Sequence, residues 1–181
     1  MPSTDAGPSL RTMLKSQYHA ALAMLRQAIE RCPESLWNDP KHLNPCWQVA
    51  YHVLFFAHAY SGQGKTSFVP WSEHQAECQY PDGIPGPNDP ASPLPLVAKP
   101  YTKAQVLAYW TFCDDRIDGA VDAMDLASPE SGFPSYPIPK FEHQLVNLRH
   151  IQHHTAQLAC RLRDGLGVGI DWAGARRPKP A

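Results

Sequence analysis

The chain has 181 residues, 43% hydrophobic and 18% charged, with a formal net charge of -1. That length supplies a single domain whose core stands without disulfide staples. The charge balance gives no electrostatic case for a nucleic-acid partner or an acidic membrane surface. No run approaches the ~20 apolar residues that span a bilayer. The first eight residues, MPSTDAGP, have neither the basic nor the apolar region of a signal peptide. Five scattered cysteines (Cys32, Cys46, Cys78, Cys113 and Cys160) form no C-x-x-C pair, which speaks against a disulfide framework or a thiolate zinc site. They read as small buried apolar residues, Cys46 and Cys113 gaining interest only if they lie near a functional site, and a reducing cytoplasm is the expected location. Two oddities remain: 19 prolines, roughly twice average usage, and nine histidines, of which His143, His150, His153 and His154 crowd one stretch.

Leu10, Leu14, Leu22, Leu25 and Ile29 recur at helical spacing, which predicts a first helix over 9–32 that stops before Pro33. Asn44-Pro45 is a start signal for a second helix reaching Tyr60. This helix is apolar almost all round, so it is either buried on most sides or covered by a neighbouring subunit. Residues 62–101 form a long proline-rich connection, long enough to permit a crossover, whose aromatic and apolar residues (Phe68, Trp71, Tyr80, Ile84, Leu94, Leu96 and Val97) are expected to pack across the mouth of the fold. Thr102-Lys103-Ala104-Gln105 is a capping box opening a third helix, with Val106, Trp110, Cys113, Ile117, Val121 and Met124 facing inward. A fourth helix is predicted from Lys140 to Asp164, with Phe141, Leu145, Leu148, Ile151, Leu158 and Leu162 inward. Without any strand pattern, these four helices predict an all-α four-helix bundle over 1–166, followed by a frayed tail over 167–181.

Two motifs are decoys. Gly64-Lys65-Thr66 looks like the end of a phosphate-binding loop but lacks the upstream glycine, and the Gly165–Gly169 run closes a helix rather than opening one. Asp114, Asp115 and Asp118 read first as a solvated helix face, although Asp114 and Asp118, one turn apart, also suit reaching a metal or orienting a histidine.

The informative segment is 149–158, RHIQHHTAQL. His150 and His154 are four residues apart and share one helix face, so both imidazoles can reach one divalent ion. His153 turns away from them, beside Arg149 and Gln157, and reads as a flanking residue or a partner supporting the ligands. A buried imidazole without a partner costs about 1–3 kcal/mol, so His52, set in Tyr51-His52-Val53-Leu54-Phe55-Phe56, is a candidate third ligand. His58 competes for that role, and the two point too far apart on the helix to serve one site. Glu142, His143, His58 and Asp114 are reserve candidates for supporting roles, each read first as structural.

The stretches 44–55 (NPCWQVAYHVLF) and 150–158 (HIQHHTAQL) resemble the two signature segments of the DinB/YfiT-like superfamily, and the resemblance runs over the helix order from 9 to 166. It implies a bundle, often homodimeric, in which one histidine of the second helix and an H-x-x-x-H pair of the last hold a divalent metal, commonly zinc or nickel. By position the metal ligands are His52, His150 and His154. Ala156 stands where the family often has glycine, and the proline-rich connection is longer than in the shorter members.

Three neutral imidazoles leave an ion its full charge and an open coordination position, the layout of a catalytic site. A bound thiol is deprotonated there and bound water is acidified, which gives a thiolate or hydroxide nucleophile. Ile151 stands where a zinc protease of the H-E-x-x-H type needs its glutamate. The resemblance favours transfer chemistry on a small molecule, its partner a low-molecular-weight thiol. The alternative is a non-catalytic metal-binding stress-response or interaction module, favoured if the ion is walled in on all sides. Self-association through the apolar second helix is a third possibility.

Overall fold

The computed structural model describes residues 9–76, 78–81 and 99–176. Among these the chain forms five α-helices and no strand: α1 (Leu10–Arg31), α2 (Glu34–Trp37), α3 (Cys46–Tyr60), α4 (Lys103–Ala123) and α5 (Lys140–Leu166). The expected capping box is present, with Thr102 and Gln105 exchanging both bonds at the start of α4. Ser9 caps α1 by accepting from the Thr12 amide. Gly167 ends α5 in the left-handed region at φ +67°. Helix α3 starts at Cys46, one residue beyond the Pro45 expected to open it. The one-turn α2 was not foreseen; it follows Pro33 and is pinned by buried Trp37, whose Nε1 donates to the Tyr101 carbonyl.

Side-chain pairings give the helix directions. Arg11 donates to the carbonyls of Val121 and Met124 at one end of α1, and Lys103 donates to that of Cys32 at the other, so α1 and α4 are antiparallel. Gln144 donates to the Tyr60 carbonyl and Arg161 to that of Asn44, so α3 and α5 are also antiparallel. Cys32 and Cys46 touch where α1 hands over to α3, and the hydrogen bond from Lys140 to the Gly62 carbonyl marks the opposite end. The long helices therefore run up, down, down, up. The connection from Ser61 to Thr102 leaves the lower end of α3 and returns at the upper start of α4, so the crossover its length permitted is realised. Its described part packs as expected: Phe68 lies against Phe55 and His58, and Trp71 stacks on Tyr109. Ile84, Leu94, Leu96 and Val97 lie outside the described residues.

Helix α3 is covered within the chain, by α4, α5 and this connection, and eleven of its residues are buried, so its apolarity needs no neighbouring subunit. The inward seam of α4 is as expected, from Val106 to Met124. On α5 the expected stripe is corrected in its first half: Leu145 is exposed and Phe141 only half-buried, while Lys140, His143, Gln144 and Asn147 face inward. These polar groups are accommodated by hydrogen bonds. The Tyr18 hydroxyl donates to Gln144 Oε1 at 2.7 Å and accepts from Asn147 Nδ2 at 2.9 Å, tying α1 to α5. The tail, expected to fray, is docked on α1 through Gly169, Asp171 and Gly174 as far as Arg176; residues 177–181 lie outside the described set. Four cysteines are buried as expected, whereas Cys160 is exposed. Gly64 lies in a turn that closes on Gly132, as its reading as a decoy required. No helix among the described residues is long and apolar enough to cross a membrane.

His143 is fully buried in a cage of Tyr60, Phe133 and Tyr136, and neither ring nitrogen has a hydrogen-bond partner among the described residues. Burial, with Lys140 nearby, pushes it down to about 4. The unfolded chain accepts this proton from about pH 6.5 downward while the folded chain resists it, so stability falls between those limits as the pH drops and is unaffected above them. His19 works in the opposite sense, its protonated form favoured by Asp114 and then Asp118, at 2.7 and 3.1 Å. The substitution His143→Phe is expected to flatten the acid-side slope of unfolding free energy by up to about 1.4 kcal/mol per pH unit. Urea denaturation of both proteins between pH 4 and 8 checks this.

Candidate metal centre

Helix α5 carries two adjacent stripes. One, through Gln144, Asn147, Ile151, Thr155, Leu158 and Leu162, is buried in the core. The other, through His150, His154, Gln157 and Arg161, advances by four, three and four residues and borders a cleft against α3. The antiparallel register of α3 and α5 brings His52 opposite the histidine pair. His52 Nε2 lies 2.8 Å from His150 Nε2 and 3.1 Å from His154 Nε2. The ligand atoms of all three residues fall within 4.8 Å of one another, close enough to hold one metal ion. Nitrogens each ~2.0–2.1 Å from a common ion stand about 2.9 Å apart at a right angle and about 3.4 Å apart at a tetrahedral one, a range the observed separations approach.

The hydrogen bonds behind the rings dictate which nitrogens face the centre. His52 Nδ1–H donates to the Gln79 carbonyl at 2.6 Å. His154 Nδ1–H donates to Gln157 Oε1 at 2.8 Å, and the Gln157 amide is oriented by its own bond to His153 at 3.3 Å. Each neutral ring therefore presents a bare Nε2 lone pair inward. A proton on His150 Nε2 can satisfy His52, yet the His52 and His154 lone pairs still face each other. A cation shared by the three nitrogens removes that repulsion. His150 Nδ1 is buried without a partner among the described residues, so no hydrogen bond behind the ring fixes its tautomer. Burial, reinforced by the neighbouring imidazoles, pushes His52 down to about 3 and His150 to about 2, so both are neutral ligands at neutral pH.

The cleft beside the triad has a volume of about 440 Å³. Asn44 and Arg161 line one end and Tyr60 and Tyr136 the other, with Phe56 and Tyr80 between them; no carboxylate lines it among the described residues. All three histidines are half-buried, so the triad lies in the cleft wall rather than sealed inside the core.

The remaining candidates are elsewhere. His58 is buried against Phe68, Tyr109 and Phe112 and does not join the triad. His143 sits in its aromatic cage and Glu142 is exposed. Asp114 and Asp118 do orient a histidine, but it is His19 on α1. Cys113 lies in the core against the Leu54 carbonyl. Cys46 touches the cleft only through Arg161 Nη1, 3.8 Å from its sulfur. Three contributors were missed by sequence reasoning. Gln157 and Arg161 follow His154 by three and seven residues, a spacing that places them on its face. The Gln79 carbonyl leaves no signal, because any residue supplies a carbonyl.

Compared with known proteins, the chain matches no family model, and no curated protein or solved structure shows significant similarity to it.

Protein purified without chelator is expected to carry one divalent ion per chain, and His154→Ala to lose it, as read by elemental analysis. Replacing Gln157 with leucine leaves the three ligands intact but frees the His154 ring, and is expected to weaken metal affinity about 10- to 100-fold in competition titrations with a chromophoric chelator.

Proposed function

We propose that this chain is a divalent-metal enzyme of the DinB-like four-helix-bundle type, with zinc or nickel at His52, His150 and His154, that transfers a low-molecular-weight thiol to a small-molecule acceptor. The observation that carries the reading is the convergence of three imidazole nitrogens in the wall of an open cleft. The up, down, down, up arrangement of four long helices supports the bundle type, since such bundles with a long crossover place metal sites between facing helices. When bound, the ion supplies the Lewis acidity that deprotonates a thiol or a water at neutral pH.

The chain's own residues favour the thiol. Metalloproteases of the H-E-x-x-H type pair their ion with a glutamate base, and no carboxylate lines this cleft among the described residues. Tyr60, pushed up by burial and by Tyr136 beside it, keeps its proton and acts as a donor rather than a base. Phe56, Tyr60, Tyr80 and Tyr136 supply an apolar wall for the acceptor. The open cleft supports a catalytic site over the alternative, an interaction module with an enclosed ion.

Cobalt-substituted protein tests the assignment. A thiol added to it is expected to produce a sulfur-to-cobalt charge-transfer band, absent in His52→Ala. Hydrolysis of activated esters with no spectral response to thiols would replace transfer with hydrolysis. Failure of cobalt to bind at all would remove the metal reading.

A further inference from the structure

The metal reading leaves one residue of the cleft unexplained. Arg161 is half-buried and lines the cleft on the same face of α5 as His150 and His154. Its Nη1 donates to the Asn44 carbonyl at 2.6 Å and also approaches Cys46 Sγ. Among the described residues it has no carboxylate within ion-pair distance, although Arg11 caps the end of α4 and Arg26, Arg31 and Arg176 each meet an acidic side chain. Among the described residues, the Nε–Nη2 edge of the guanidinium makes no hydrogen bond. That edge presents two parallel N–H groups, the geometry that receives a carboxylate in bidentate fashion. A cation fixed by one nitrogen, with its fork unoccupied, in a cleft lined by no described acid, is built to receive an anion. A single guanidinium matches a monoanion.

We propose that Arg161 seats a carboxylate of the thiol substrate, so that the site selects an anionic thiol; the inference rests on the metal reading for the position of the sulfur. Position sets the length of the ligand. Seven residues separate His154 from Arg161, ~10.5 Å along the helix axis. The Asn44 carbonyl that holds the guanidinium precedes His52 by eight residues, so the charge sits beyond the triad toward the start of α3. The sulfur and the carboxylate are therefore several bonds apart, a span that 6-mercaptohexanoate covers. The acceptor is left the tyrosine end of the cleft, across the triad from Arg161.

The test compares 6-mercaptohexanoate with its uncharged counterpart, 6-mercaptohexanol, on the cobalt-substituted protein, reading the charge-transfer band to saturation. The acid is expected to bind wild type at least tenfold more tightly than the alcohol. In Arg161→Gln, which keeps a donor for the Asn44 carbonyl, the preference is expected to vanish while the cobalt spectrum without thiol stays unchanged. Arg161→Lys is expected to keep part of the preference, because it retains charge but not the fork. Equal binding of the two thiols by wild type, or a preference that survives in Arg161→Gln, overturns the inference and leaves the metal reading standing. If Arg161→Gln fails to fold, the wild-type comparison and Arg161→Lys decide by the same criteria. If cobalt does not bind, calorimetric titration of the metal-free wild type separates the two ideas: a tenfold preference for the acid supports the carboxylate seat alone, and no preference overturns it.

Discussion

Everything in the site depends on the register of α3 against α5. The two helices run antiparallel, and their slide past one another places His52 between the levels of His150 and His154. The bonds that hold this register are not those of the triad. Gln144 and Asn147 reach carbonyls near the end of α3, and Arg161 reaches the carbonyl that precedes its start. The rings are thus brought together from both ends of the seam, with the Nε2 lone pairs of His52 and His154 inward and their protons outward. An arrangement of that kind is repulsive on its own and attractive around a cation.

The crossover connection contributes to the same centre. A shorter link would have run directly between neighbouring helix ends; this one joins the lower end of α3 to the upper start of α4 and passes Gln79 behind His52, where its carbonyl orients the ring. Tyr80 and Pro81 then continue along the cleft. The connection therefore does a job that a helix cannot: it offers a carbonyl not already used in a helical ladder.

Much of this was legible in the amino-acid order, and for identifiable reasons. Helix ends were readable because capping chemistry is local: Thr102 with Gln105, Pro33 after α1, Gly167 after α5. The histidines were readable because a four-residue interval means a shared face and because His52 lies among aromatics. The first half of α5 was misjudged because apolar residues alone were counted inward, whereas Gln144, Asn147, His143 and Lys140 are the residues that turn in. Their burial depends on partners such as Tyr18, 126 residues away for Gln144, and no local pattern shows it. The docked tail was hidden for a similar reason, since it is held by polar contacts to Gln17, Gln27 and Arg31 rather than by an apolar stripe.

His52 is separated along the chain by 98 residues from His150 and by 102 from His154. Closing so large a loop carries an entropic cost that local contacts between the ends do not offset until both helices are docked. The triad therefore has no meaning in a partly folded chain, and an ion captured there reports completed tertiary structure. An ion that binds the folded triad and not the unfolded chain would add to native stability by mass action.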